Sequence, residues 1–160
     1  MNRHVAFAIL AAAAIAAGPA LSETAPDEVV FTDLGEVEQS LTGTPGDAQS
    51  GQEIFGDKGR GNCVACHKVS SLTSADFQGT IGPELDNAGG TWTEAQLRGI
   101  VADAKKTFPE SMMPSQYKTH GYVRPGDAFT GKAGQEPLAP LMTAQQIEDV
   151  VAYLMTLKED

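Results

Sequence analysis

Two stretches carry apolar residues at helical spacing behind a clear start signal. Thr93-Glu94-Ala95-Gln96 reads as a capping box, and Leu97, Ile100, Val101 and Ala104 follow on one face. Thr143-Ala144-Gln145-Gln146 is a second such box, and Ile147, Val150, Val151, Leu154 and Leu157 form a single stripe after it. A weaker signal lies upstream, where Asp47 or Ser50 can cap a helix that contributes Ile54 and Phe55 and stops at Gly59–Gly61. No strand-like alternation of useful length and no internal repeat appears. The pattern predicts an all-α domain with long irregular connections.

Before these helices, Val5 to Ala17 is an unbroken apolar run of 13 residues, preceded by Arg3 and broken by Gly18-Pro19. Ala20-Leu21-Ser22 supplies small residues at the −3 and −1 positions of a cleavage site, so residues 1–22 read as a secretory signal peptide cut after Ser22. The run is well short of the roughly 20 residues a membrane-spanning helix needs. The expectation is an exported protein in an oxidising compartment such as a bacterial periplasm. Residues 23–46 follow as an acidic arm, extended over the domain, and residues 47–160 form that domain.

Composition sharpens this. The 160 residues include 17 Gly and 9 Pro but only 6% aromatics, so the interior is thin unless something large and apolar fills it. Eleven basic against 21 acidic residues give a net charge of −10, which argues against nucleic-acid binding. Residues 23–57 hold nine acids and no Lys or Arg, whereas the middle of the chain has a small basic excess. The ordinary reading of any single charge is a solvated surface.

The two cysteines stand together in Cys63-Val64-Ala65-Cys66-His67, the C-x-x-C-H pattern of covalent haem attachment. Thiols at this spacing can reach both vinyl groups of one porphyrin, which leaves the adjoining imidazole as an axial ligand. A redox dithiol would call for a βαβ context. A zinc site would need two further ligands at awkward spacing, and a disulfide here would close a very small ring. Haem fits the pattern better than any of these. Candidate ligands for the opposite iron face are Met113, in the Pro-stiffened loop Ser111-Met112-Met113-Pro114, then Met112 and His120. Met142 and Met155 fall at or within the last helix and read as core. If haem is bound, the Pro83 carbonyl in Ile81-Gly82-Pro83 is the expected acceptor for the His67 Nδ1 proton. Trp92 is expected either on the porphyrin edge or in the core.

With these residues in place, the chain over 48–158 resembles the class I cytochromes c. Within them it is similar to the SoxX-type subunits of the SoxAX cytochrome complexes of bacterial sulfur oxidation. The strings behind this are Gly61 to His67, Ile81-Gly82-Pro83-Glu84-Leu85, Leu97 to Asp103, Ser111 to Pro114 and, above all, Gln146 to Lys158. The resemblance implies one haem c bound through Cys63 and Cys66, with His67 and Met113 as axial ligands. It implies a SoxA-type haem subunit as partner in an L-cysteine S-thiosulfotransferase, which couples thiosulfate to a cysteine of the SoxYZ carrier. A c-type cytochrome would accept the electrons. This chain would be the electron relay, since haem consumes both cysteines and no catalytic nucleophile remains. The competing readings are a free-standing electron shuttle and a haem sensor with an open iron position. Residues 115–142, with Tyr117, Tyr122 and Phe129 expected at the surface, form with the arm the expected docking surface for the partner.

Overall fold

The first and last helices pack on each other, and the rest of the chain is laid around that pair. The computed structural model describes residues 23–127 and 130–159; the signal-peptide reading of 1–22 and the surface expectation for Phe129 lie outside these. Helix α1 spans Ala48–Gly56, α2 Ala88–Thr91, α3 Glu94–Asp103 and α4 Ala144–Thr156. Short 3-10 turns cover Pro26–Glu28, Cys63–Ala65 and Ala104–Lys106. Among the described residues the only β pairing is an isolated bridge between Gly126 and Ala133, consistent with an all-α class.

Each helix starts where its cap dictates. Asp47 caps α1 by accepting from Ser50 N at 2.6 Å, and this bond holds the Asp47 carboxyl below its ordinary range. The helix ends at Gly56, earlier than Gly59–Gly61, because Asp57 turns extended while its N–H still bonds back to Glu53 and Ile54. Thr93 and Thr143 form complete capping boxes with Gln96 and Gln146. Helix α2 departs from the pattern of the sequence, since Ala-Gly-Gly-Thr reads as a turn. It forms because Gly89 lets its backbone lie against the end of α4, where Gly89 N donates to Leu157 O at 2.8 Å.

The apolar stripe of α4 is the centre of the core. Ile147, Val150, Val151 and Leu154 are buried with Ile54 and Phe55 of α1, Leu97 and Val101 of α3, and Met142. Phe55 meets Tyr153 edge to face at 5.6 Å between ring centroids. Gly51 lets α1 touch the α4 backbone, since a Cβ there would collide with the Asp149 carbonyl. Truncating a side chain such as Ile147 would cost about 2–5 kcal/mol.

The arm over 23–46 is fastened to the helices through Val37 and Leu41, both buried. Val37 N bonds Ala95 O at 3.0 Å, and Leu41 N bonds Glu148 Oε1 at 2.6 Å. Glu148 is itself buried against buried Arg98, whose Nε lies 3.0 Å from Glu148 Oε1 and whose Nη1 donates to Val37 O at 2.9 Å. Arg98 also pairs with Glu94. Arg98 and Glu148 are therefore not solvated surface: one buried guanidinium ties α3, α4 and the arm together.

Residues 115–127 and 130–142 form an excursion from the helices. Met142 N bonds Gln116 O and Leu138 N bonds Thr119 O, which closes its base, and Gly134 N bonds Pro125 O further out. Tyr117, expected at the surface, is buried, and Tyr122 is half-buried. Tyr117 Oη donates to Thr24 O at 2.7 Å and so pins the start of the arm. Burial, with Glu23 beside it, pushes the Tyr117 hydroxyl up to about 12.

Candidate functional site

After α1 the chain makes a tight turn, with Arg60 N and Asn62 N both bonded to Asp57 O, and Asn62 takes a left-handed φ of 50°. Asn tolerates that conformation. The 3-10 turn over Cys63–Ala65 then starts at once and continues through His67, since Cys66 N and His67 N both bond Cys63 O. The two thiols and the imidazole thus share one turn of backbone. No disulfide joins the two cysteines, and burial pushes the Cys63 thiol up to about 11. A thiol so raised is protonated at neutral pH and is a poor redox nucleophile.

A second segment lies alongside this turn. Gly79 N bonds Val64 O, Gly82 N bonds Cys66 O, and Leu85 N bonds Lys68 O, all at 2.8–2.9 Å. Gln78 reinforces the clip by accepting from Val69 N at 2.6 Å and donating to Val69 O and Leu72 O. Lys68 pairs with Glu84 at 2.8 Å, and Asp86 accepts from Ser70 N at 2.6 Å.

The clip sets the imidazole. His67 Nδ1 lies 2.9 Å from the Pro83 carbonyl oxygen. A carbonyl only accepts, so Nδ1 carries the proton and Nε2 keeps its lone pair. Nε2 makes no hydrogen bond among the described residues. Gly82 packs on the ring itself: a Cβ there would lie 2.6 Å from Nδ1 and 2.8 Å from Nε2. Any side chain at 82 would displace the imidazole. Ile81, which precedes it in the chain, is 69% exposed.

The remaining candidates are dispersed. Met113 is half-buried on a separate loop at the end of α3, and no hydrogen bond joins that loop to the His67 turn among the described residues. Met112 is 80% exposed. His120 is on the surface, with Nδ1 3.3 Å from Asp27 Oδ2. Met142 is in the core and Met155 packs against it. Trp92 is half-buried against the core and meets Phe108 edge to face at 6.1 Å. The sequence pattern does not single out Gly82 as the residue on which the imidazole rests; the Gly-Pro pair signals only a turn.

The donor set fits a haem c. Two thiols stand three residues apart, an imidazole has its Nε2 lone pair unused, and a glycine cradle fixes the ring against a carbonyl. The cytochrome c family matches residues 48–158, and the chain belongs to that family. Membership implies covalent haem c. More narrowly, the chain is 61% identical to a chain in the crystal structure of SoxXA from P. pantotrophus, covering 86% of this chain and all of that one, with a TM-score of 0.83. The protein is a SoxX-type monohaem cytochrome of electron transfer, and the alternative of a free-standing shuttle is not favoured. No curated protein matches the chain. No helix among the described residues is long and apolar enough to cross a membrane.

Proposed function

We propose that this chain is the electron-relay subunit of a two-subunit complex that joins thiosulfate to a carrier cysteine. The reading places it outside the cytoplasm, exported by residues 1–22 with cleavage after Ser22. Its partner would be a SoxA-type haem subunit, its carrier a SoxYZ-type protein, and its acceptor a c-type cytochrome. The observation that carries the reading is the 61% identity over the whole length of a SoxXA chain, together with a cysteine-histidine turn built for haem.

Coupling R–SH to thiosulfate gives R–S–S–SO₃⁻, one proton and two electrons. Bound haem supplies a one-electron iron centre, so the two electrons pass singly. Cys63 and Cys66 would hold it by thioethers, with His67 Nε2 and the Met113 sulfur as axial ligands. The Nδ1–H bond to Pro83 keeps His67 oriented and its Nε2 available. A thioether in the donor set beside the imidazole would raise the potential of the bound haem, which suits the exit side of such a relay. With both thiols engaged, this chain has no cysteine left to attack sulfur, so the bond-forming step belongs to the partner.

Purification from the native exported fraction tests the proposal. The chain should start at Glu23, carry the mass of one haem, and travel with a second haem subunit. Thiosulfate plus a carrier thiol should reduce its haem only when that subunit is present. A singly eluting chain, or reduction without the partner, would refute the assignment. Ready binding of carbon monoxide to the reduced protein would instead favour an open iron position.

A further inference from the structure

Met112 and Met113 are adjacent, and two thioethers on one loop offer an iron two competing sulfurs. We propose that Lys105 and Ser115 are positioning residues that fasten the backbone at Met113 and just beyond it and so select its sulfur over that of Met112. The inference rests on the reading of Met113 as axial ligand.

Both backbone polar groups of Met113 are engaged. Its N–H donates to Ser111 Oγ at 3.2 Å, and its carbonyl accepts from Lys105 Nζ at 2.6 Å. Met112 makes no backbone hydrogen bond among the described residues and is 80% exposed. Two residues beyond Met113, buried Ser115 donates Oγ–H to Asp103 Oδ1 at 2.6 Å. The same carboxylate oxygen accepts from Lys105 N at 3.3 Å, so both anchors grow from one point at the end of α3. Tyr117 N closes the attachment on Ala102 O at 3.0 Å.

Between the anchors lies only Pro114, whose ring locks φ. Residue 113 therefore has little freedom to rotate its neighbour's sulfur into its own place. A lysine donating to a carbonyl is a charge-assisted bond, stronger than a neutral one. Lys105 is exposed, so water competes with it and the effect is moderate.

The test is displacement of the thioether by added imidazole in the ferric holoprotein, followed with the far-red sulfur-to-iron charge-transfer band. Loss of one such hydrogen bond should speed displacement by about tenfold in Lys105→Leu, and Ser115→Ala should act in the same direction. Lys105→Arg, which keeps a cationic donor, should restore the slow exchange, and Met112→Leu should exchange like the parent. Melting curves confirm that each variant is folded. Parental exchange in both Lys105→Leu and Ser115→Ala would overturn the clamp, as would fast exchange in Lys105→Arg. Met113→Leu separates the two levels. If it abolishes the band, ligation stands and the clamp is judged on the other variants. If the band survives there and is lost in Met112→Leu, the ligation reading falls and the clamp with it.

Discussion

Replacing Gly82 by Ala puts a methyl group into the face of the His67 imidazole. The added carbon would sit 2.6 Å from Nδ1 and 2.8 Å from Nε2, where ordinary contact begins at 3.4 Å. Ring and loop must therefore separate by about 1 Å to relieve the overlap. The Nδ1–Pro83 bond, now 2.9 Å, cannot survive that movement intact, because Gly82 N is held to Cys66 O at 2.8 Å and Pro83 follows directly. Overpacking of this kind costs about 1–3 kcal/mol. The broken hydrogen bond adds about 1 kcal/mol. Guanidinium unfolding of the ferric holoprotein measures the sum, and proton NMR of the paramagnetically shifted His67 ring reports the displacement. Gly79→Ala is the control, since its methyl collides with the Ala65 carbonyl and not with the imidazole. It should lower stability while leaving the ring signals far less changed. A Gly82→Ala protein with parental His67 shifts and stability within about 0.5 kcal/mol would refute the cradle.

Three further outcomes follow from particular contacts. Arg98→Met leaves Glu148 buried without its cation and the Val37 carbonyl without its donor, so urea unfolding should show a loss of about 3–5 kcal/mol; the double variant with Glu148→Gln should lose less than the sum of the single variants. In the holoprotein neither Cys63 nor Cys66 should alkylate, and Cys63→Ala should hold its haem by the one remaining thioether; two reactive thiols in the parent would refute attachment. Tyr117 holds its proton up to about 12 in the fold against 10.0 in the open chain, so the unfolded state loses the proton first. Its contribution is complete below pH 10 and declines as pH rises from about 10 to 12, a slope that urea midpoints should show and Tyr117→Phe should lessen.

Much of the frame is legible in the chain because its signals are local. A capping box joins residues three apart, and a helical stripe repeats within one element, so α3 and α4 can be read from Thr93, Thr143 and the apolar positions behind them. The C-x-x-C-H spacing is likewise contained in five residues, and it points to haem without reference to any distant part of the chain. Two residues could cap the start of α1, and the geometry selects Asp47.

What the chain alone does not show depends on residues far apart. Arg98 and Glu148 look like surface charges until α3 and α4 meet and the arm covers them. Tyr117 looks like a loop aromatic until Thr24 supplies an acceptor from the arm. Gly82 is one glycine among 17, and only the pairing of residues 79–85 with 64–68 brings it against His67. The sequence by itself determined α1, α3 and α4, the cysteine-histidine turn and the haem it implies, since periodicity and short spacing act within a few residues. Tertiary structure alone decided which charges are buried, what holds the imidazole and how the Met113 loop is tied to α3, because those contacts exist only once distant segments are packed together.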